Sequence, residues 1–214
     1  MTRVLIVEDD PMARKLMEIF VISNSRYQLL PSLSNAAMAE LYCTANPVDL
    51  ILMDVVTAMD SNGLETAEKL KKLFPEIKII IITSLPEYSY IARAREIGVD
   101  SFWYKEPTAE ALINVMDKTM AGESVYPDNT PVMRLGAALS DDFTERELQV
   151  LKEVVSGKTD AAIAETLHLS VFTVKQYIQK IREKTKFSNR TELAVRARES
   201  GIVISDHRPE KEGS

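Results

Sequence analysis

The sequence predicts two domains: an α/β domain on a doubly wound parallel sheet, then a smaller all-α domain of four helices. Three observations predict this. Through residue 120, five short apolar runs alternate with helix-like stretches. Beyond residue 142 the runs give way to capped, helix-periodic segments. Charge is also unevenly divided. Residues 1–125 carry 12 Lys/Arg against 18 Asp/Glu, and residues 126–214 carry 14 against 14. Within 170–198, 8 basic residues face only Glu183 and Glu192. An acidic half joined to a half with a concentrated basic segment indicates two domains with different partners.

In order, 3–7 is an apolar strand ending on Glu8-Asp9-Asp10, and Pro11 opens a helix, since proline is favoured in a first turn. Met12, Leu16, Ile19 and Phe20 give that helix its apolar stripe. A weak second strand spans 27–31. Ser34 caps a helix through Cys43, with Ala37 and Leu41 facing inward. The third strand, 49–53, ends on Asp54, and its unbroken apolar run reads as buried on both faces. A helix over 62–74 stops at Pro75, and 77–82 is the most apolar strand. A helix follows Pro86, 101–104 is the fifth strand, and Pro107 opens a helix to Met120. Parallel neighbours need crossover helices, which the alternation supplies.

A flavodoxin-like strand order of 2-1-3-4-5 would set strands one and three side by side at the switch point, where such sheets bind ligands. Glu8, Asp9 and Asp54 would then share one crevice. Three carboxylates there repel and raise one another's pKa unless a cation joins them. Oxygen ligands without His or Cys favour Mg²⁺, or Mn²⁺, which accepts a phosphate oxygen as well. Thr83 and Ser84 after strand four and Lys105 after strand five suit phosphoryl oxygens. Each group alone also suits a plainer role: solvated helix-start acids, a turn aspartate, a surface lysine.

Their joint occurrence carries a resemblance. VLIVEDD (4–10), ILMD (51–54), IIIITS (79–84) and Lys105 after Phe102-Trp103-Tyr104 resemble the receiver domain of two-component response regulators. The resemblance implies Asp54 as phosphoacceptor, Asp9 and Asp54 as Mg²⁺ ligands with Glu8 lining, and the Val56 backbone carbonyl completing the metal site. It implies Thr83 and Lys105 as phosphoryl-binding groups and Phe102 as the aromatic that reorients with Thr83. Two departures stand out. The Val55–Gly63 loop lacks the family's proline and is one residue longer, and Glu106 separates Lys105 from Pro107, where a cis bond is an open question. A haloacid-dehalogenase-like phosphatase also uses a strand-end Asp, but needs a second Asp where Val56 stands.

Residues 121–142 mix Gly, Pro, Ser and Asp and read as a linker with room for a short helix. Thr144 and Glu147 form a capping box for a helix carrying Leu148, Leu151, Val154 and Val155 inward to Gly157. A short helix over 160–167 with Ile163 and Leu167 buried, a turn over 168–170 and a helix from Ser170 to about Lys184 make a helix-turn-helix candidate. In that last helix Val171, Val174, Ile178 and Ile181 would face inward, and Phe172, Thr173, Gln176, Gln179, Lys180 and Glu183 outward. A final helix runs over 190–200 and ends at Gly201.

Residues 143–197 resemble the LuxR-type helix-turn-helix, through Ser170, Thr173, Val174, Lys175, Lys184, Asn189, Arg190, Thr191 and Glu192. That resemblance implies Lys175, Gln176 and Gln179 near bases, and Thr173, Tyr177 and Lys180 near phosphates. It also implies that the helix from Arg190 is a dimer surface on DNA.

The two resemblances together identify a response regulator of the NarL/FixJ class. They imply a histidine kinase, double-stranded DNA and a second copy as partners, and a phosphoacceptor rather than an enzyme. A rival reading keeps DNA binding but makes the first domain a phosphorylation-independent partner module. The expected boundaries are 1–122 for the receiver, 123–141 for the linker, 142–204 for the DNA-binding domain, and 205–214 for a disordered tail. No apolar run approaches the ~18 residues of a membrane span, no leader precedes Arg3, and a lone Cys43 suits a reducing compartment, so the expected location is the cytoplasm.

Overall fold

The computed structural model describes residues 1–59, 61–105 and 108–203. The chain divides into two compact units, the first comprising Met1–Ser84 and Ser89–Asp128, the second Leu85–Tyr88 and the residues from Asn129 onward. The Glu106–Pro107 bond and the tail from residue 204 lie outside the described residues.

The first unit is a five-stranded parallel sheet of β1 (Thr2–Val7), β2 (Tyr27–Leu29), β3 (Leu50–Asp54), β6 (Lys78–Thr83) and β7 (Ser101–Tyr104), in the order β2-β1-β3-β6-β7. This is the expected 2-1-3-4-5 order. The labels differ because a two-stranded hairpin, β4 (Val56–Thr57) and β5 (Ser61–Asn62), intervenes. Side chains alternate between faces along each strand. Val4, Ile6, Leu50, Leu52, Ile80 and Ile82 bury against α1 (Pro11–Ile22) and α5 (Ala109–Met120). Leu5, Ile51, Met53, Ile79 and Ile81 are equally buried on the other face, which carries α2 (Met38–Ala45), α3 (Gly63–Leu73) and α4 (Tyr90–Glu96). Full burial of such a side chain stabilises by roughly 1.5–3 kcal/mol, so the continuous apolar strands fix the sheet.

Two helices differ from expectation in phase. On α1 the residues facing the core are Met17 and Val21, while Met12, Leu16 and Ile19 face solvent. On α2, Ala39 and Cys43 are buried and Leu41 is exposed. That helix begins at Met38 with no side-chain cap, and the Ser34 carbonyl instead accepts the Ala58 N–H at 3.1 Å. Both helices are apolar around much of their circumference, so the crossover into the next strand sets their rotation. Cys43 is a buried small hydrophobe, and burial pushes its thiol up to about 11.

The second unit holds α6 (Glu145–Val155), α7 (Asp160–Thr166), α8 (Val171–Thr185) and α9 (Arg190–Ser200). Thr144, Thr159, Ser170 and Asn189 cap them in turn through side-chain oxygens. Leu148, Leu151, Val154, Ile163, Val174, Ile178, Ile181 and Leu193 form its core. The stretch expected to be linker is only partly so. A hairpin, β8 (Arg134–Leu135) and β9 (Ala138–Leu139), buries Leu135 and Ala138 in that core, and a 3-10 turn spans Ser140–Asp142. Its tip is Gly136 at φ 62°, where a Cβ would stand 2.2 Å from the Thr185 carbonyl oxygen. Only glycine allows the tip to seat on the end of α8. Val171, expected inward, is 41% exposed because it opens α8 beyond the reach of the core.

Candidate functional site

The carboxyl ends of the sheet strands converge as the strand order requires. β1 and β3 are direct neighbours, with Val7 opposite Met53, so Glu8 and Asp9 emerge beside Asp54. β6 lies on the other side, with Asp54 opposite Ile82, and β7 follows with Thr83 opposite Tyr104. Lys105 leaves the end of β7, where its backbone N–H donates to the Thr83 carbonyl at 2.9 Å.

Asp54 is 7% exposed. Its Oδ1 accepts the Val55 N–H at 2.7 Å, and its Oδ2 lies 3.0 Å from Lys105 Nζ. Lys105 Nζ also meets Glu8 Oε2 at 2.6 Å. Glu8 Oε1 accepts the Asp10 N–H at 3.2 Å. Burial pushes the Asp54 carboxyl up to about 7; Lys105 opposes the rise and Glu8 adds to it. Burial would lower Lys105, but Asp54 and Glu8 outweigh it and hold the ammonium above its ordinary value. One ammonium therefore serves two buried carboxylates, with half-buried Asp9 beside them. Glu8, Asp9 and Asp54 each place an oxygen within 4.8 Å of the others, a donor set suited to a hard divalent cation.

Every pocket residue expected from the sequence is thus placed at one end of the sheet. Thr83 is fully buried at the end of β6, and Val56 is half-buried two residues beyond Asp54. Phe102 is fully buried, edge-on to Tyr104 with ring centroids 5.2 Å apart and stacked on Tyr126 at 6.4 Å.

Sequence reasoning missed how the unusual loop is held. Thr57 Oγ1 accepts the Ala36 N–H at 2.9 Å and donates to the Ser61 carbonyl at 3.0 Å. Ser61 Oγ accepts the Ala37 N–H at 2.9 Å. The loop closes as Gly63 N–H donates to the Val55 carbonyl at 2.8 Å. A Cβ on Gly63 would stand 1.9 Å from the Asp54 carbonyl oxygen, so a side chain there would displace the acceptor's backbone. The glycine before a helix was the available signal. Asn62 caps α3 by accepting the N–H groups of Leu64 and Glu65.

In the second unit, Lys175, Gln176, Gln179 and Lys180 of α8 are exposed. Thr173 and Tyr177 are half-buried. The Thr173 hydroxyl is hydrogen-bonded to the Ser170 cap at 2.8 Å, and the Tyr177 ring packs on the core. An open cleft of about 670 Å³ runs along the helix, lined by Lys175, Gln179, Arg182, Lys186 and Arg190 among others. Arg190 closes one side through an ion pair with Asp160.

Comparison with known proteins agrees with both units. Residues 4–117 match the response regulator receiver domain, and residues 141–197 match bacterial regulatory proteins of the luxR family. The chain is 29% identical over 206 residues to the response regulator protein VraR of Staphylococcus aureus, covering 94% of this chain and 98% of the relative. A LuxR family DNA-binding response regulator from Silicibacter pomeroyi is 27% identical, with a TM-score of 0.52 over 60% of this chain and 98% of that one. A structure of two RcsB dimers bound to two parallel DNAs shares the fold, with a TM-score of 0.62 and 15% identity over 91% of this chain and 96% of that one. Receiver pocket, helical second unit and matches together show that this chain belongs to the response regulator family, with a receiver domain followed by a LuxR-type DNA-binding domain.

Proposed function

We propose that the chain is the output half of a two-component phosphorelay. It accepts a phosphoryl group on Asp54 from a partner histidine kinase and regulates transcription as a dimer on double-stranded DNA. On this reading it is a phosphoacceptor that assists its own phosphorylation and dephosphorylation, not an enzyme with a separate substrate. Its place is the cytoplasm; among the described residues no helix is long and apolar enough to cross a membrane.

One observation carries the reading. A buried strand-end carboxylate lies 3.0 Å from an ammonium and within reach of two further carboxylates. The backbone N–H of Val55 orients Asp54 and leaves its second oxygen toward Lys105. One Asp54 oxygen attacks the phosphorus, a P–O bond forms as the phosphohistidine P–N bond breaks, and the imidazole leaves. Asp9 and Asp54, with the Val56 carbonyl and with Glu8 lining the pocket, are the groups that would hold Mg²⁺ or Mn²⁺. Bound there, the ion would offset charge on the carboxylates and on the transferring group. Lys105 then turns from Asp54 to a phosphoryl oxygen, and the Thr83 hydroxyl supplies another contact. Rearrangement of Thr83 and Phe102 would bias the surface of α4 and β7 between two states, the element such coupling requires. Lys175, Gln176 and Gln179 would approach bases, and Thr173, Tyr177 and Lys180 phosphates.

The test uses Trp103, the only tryptophan, buried on β7 opposite Ile82, which in turn pairs with Asp54. Adding Mg²⁺ and a phosphoryl analogue is expected to change its fluorescence, and Asp54→Ala to abolish the change. A silent wild type that still binds DNA would favour phosphorylation-independent binding.

A further inference from the structure

An aromatic side chain stands in water on the helix that carries the amides and ammonium groups. Phe172 is 72% exposed, and Val171 beside it 41%. Both lie in the first turn of α8, immediately after the Ser170 cap. At about 100° per residue, Phe172 falls about 40° from Gln176 and about 20° from Gln179, so the ring heads the same stripe. In a helix-turn-helix the first turns of the second helix enter the major groove most deeply and meet base edges. There thymine alone presents a methyl group, and an apolar side chain is its natural contact.

The surroundings say what covers this ring. Lys175 and Lys180 are exposed on either side of the stripe, and exposed Lys186 follows at the end of α8. An apolar tip between cationic flanks fits a groove whose floor carries methyl groups and whose walls carry phosphates. A protein surface or a lipid would not require the adjacent amides of Gln176 and Gln179.

We infer that Phe172, with Val171 beside it, reads thymine methyl groups in the major groove and sets part of this protein's sequence preference. The inference rests on the proposed DNA-binding function and adds a determinant that amides and ammonium groups do not supply.

The experiment takes the full chain with Mg²⁺ and a phosphoryl analogue and enriches binding sites from a random pool of DNA duplexes. Each thymine of the enriched site is then replaced by deoxyuridine, which removes the methyl and leaves the hydrogen-bonding edge intact. The wild type is expected to lose about fourfold in affinity at one or two positions, the worth of one buried methyl. Phe172→Ala should bind the thymine site more weakly, by about tenfold, and be indifferent to uridine at those same positions. Enrichment repeated with this variant should lose thymine there. Because the side chain is exposed, the variant should keep the wild-type helical content and melting temperature. Wild-type binding that ignores every uridine, or a Phe172→Ala variant with unchanged affinity and uridine response, overturns the inference alone. A wild type that enriches no sequence overturns it together with DNA binding.

Discussion

Each unit of this protein pairs a buried carboxylate with a lysine, and the two arrangements behave in opposite ways. Glu147, 3% exposed, accepts at Oε2 from Lys184 Nζ at 2.7 Å, from the Thr144 N–H at 2.7 Å and from the Thr144 hydroxyl at 3.0 Å. Burial alone would raise it, but Lys184 and Thr144 hold it below the ordinary carboxylate range. Lys184 also donates to the Asp142 carbonyl at 2.8 Å and lies over the Phe143 ring. Asp54 has one backbone N–H and a lysine shared with Glu8, and burial drives it up to about 7. The same residue types therefore make a staple in one place and a site short of positive charge in the other. The difference is stoichiometry: one cation for one buried carboxylate, against one cation for two with a third at hand.

The largest expected effect is on the staple. Glu147→Ala should destabilise the second unit by about 3 kcal/mol, because it removes the carboxylate half of the α6 capping box and strands a partly buried ammonium. Differential scanning calorimetry of the full chain should show the second unit melting earlier and the first unit unmoved. A loss under about 1 kcal/mol would mean that Glu147 is no more than a surface ion pair, and the contrast with Asp54 would fail. The acid limb carries the same sign. The pKa of Glu147 is depressed, so its contribution is present above the ordinary glutamate value and is lost as pH falls through the folded value. Glu147→Gln should flatten the second unit's stability against pH below about 4.5.

How much of this contrast was legible in the sequence differs between its parts. The Thr144–Glu147 capping box and the strand-end positions of Glu8, Asp9, Asp54, Thr83 and Lys105 were readable, since they depend on residue identity and local spacing. The pairing of Lys184 with Glu147 was not, because it spans 37 residues and depends on how α8 crosses α6. The apolar residues of α1 and α2 established that helices form but not which face turns inward, as exposed Met12, Leu16, Ile19 and Leu41 show. The 134–139 hairpin carries a turn glycine, yet its burial comes from the end of α8 that receives it. The loop after Asp54 departs from the family pattern in sequence and folds as a hairpin pinned by Thr57 and Ser61 to residues 36–37. Those bonds join segments distant in sequence, and no local rule announces them.

A smaller effect of opposite sign is expected at the other carboxylate. Asp54→Asn in buffer free of divalent cations should stabilise the first unit at pH 8 by roughly 1–2 kcal/mol, raising its melting temperature by about 4–8 °C. The asparagine keeps the shape and an acceptor but removes a charge that burial opposes. Loss of its attraction to Lys105 limits the gain, and Glu8 keeps that ammonium paired. The pH dependence follows the raised pKa. The folded state holds the Asp54 proton up to about 7, whereas the unfolded chain releases it near 3.8, so stability declines as pH rises between those values. The variant should lack that decline. A destabilised Asp54→Asn would put Asp54 in the same class as Glu147.

The smallest expected effect is the one that joins the comparison to function. Millimolar Mg²⁺ at pH 7.5 should raise the first unit's melting temperature by about 2–4 °C, since a ligand at about two to four times its dissociation constant stabilises by about 0.6–1 kcal/mol. The second unit, whose buried carboxylate already has its cation, should not respond. Asp54→Asn should reduce the shift and Glu8→Gln should reduce it less, because Glu8 lies closer to Lys105 than Asp54 does, at 2.6 Å against 3.0 Å, and its charge is already better offset. Asp9, half-buried and on the same strand end, would carry the remainder. An equal rise in both units would mark nonspecific screening, and the excess of negative charge at Asp54 would then need another explanation. A rise confined to the first unit, and weakened in that order, would show that the missing positive charge is a divalent cation. The carboxylate that destabilises the fold would then be the one the ion makes ready to accept a phosphoryl group.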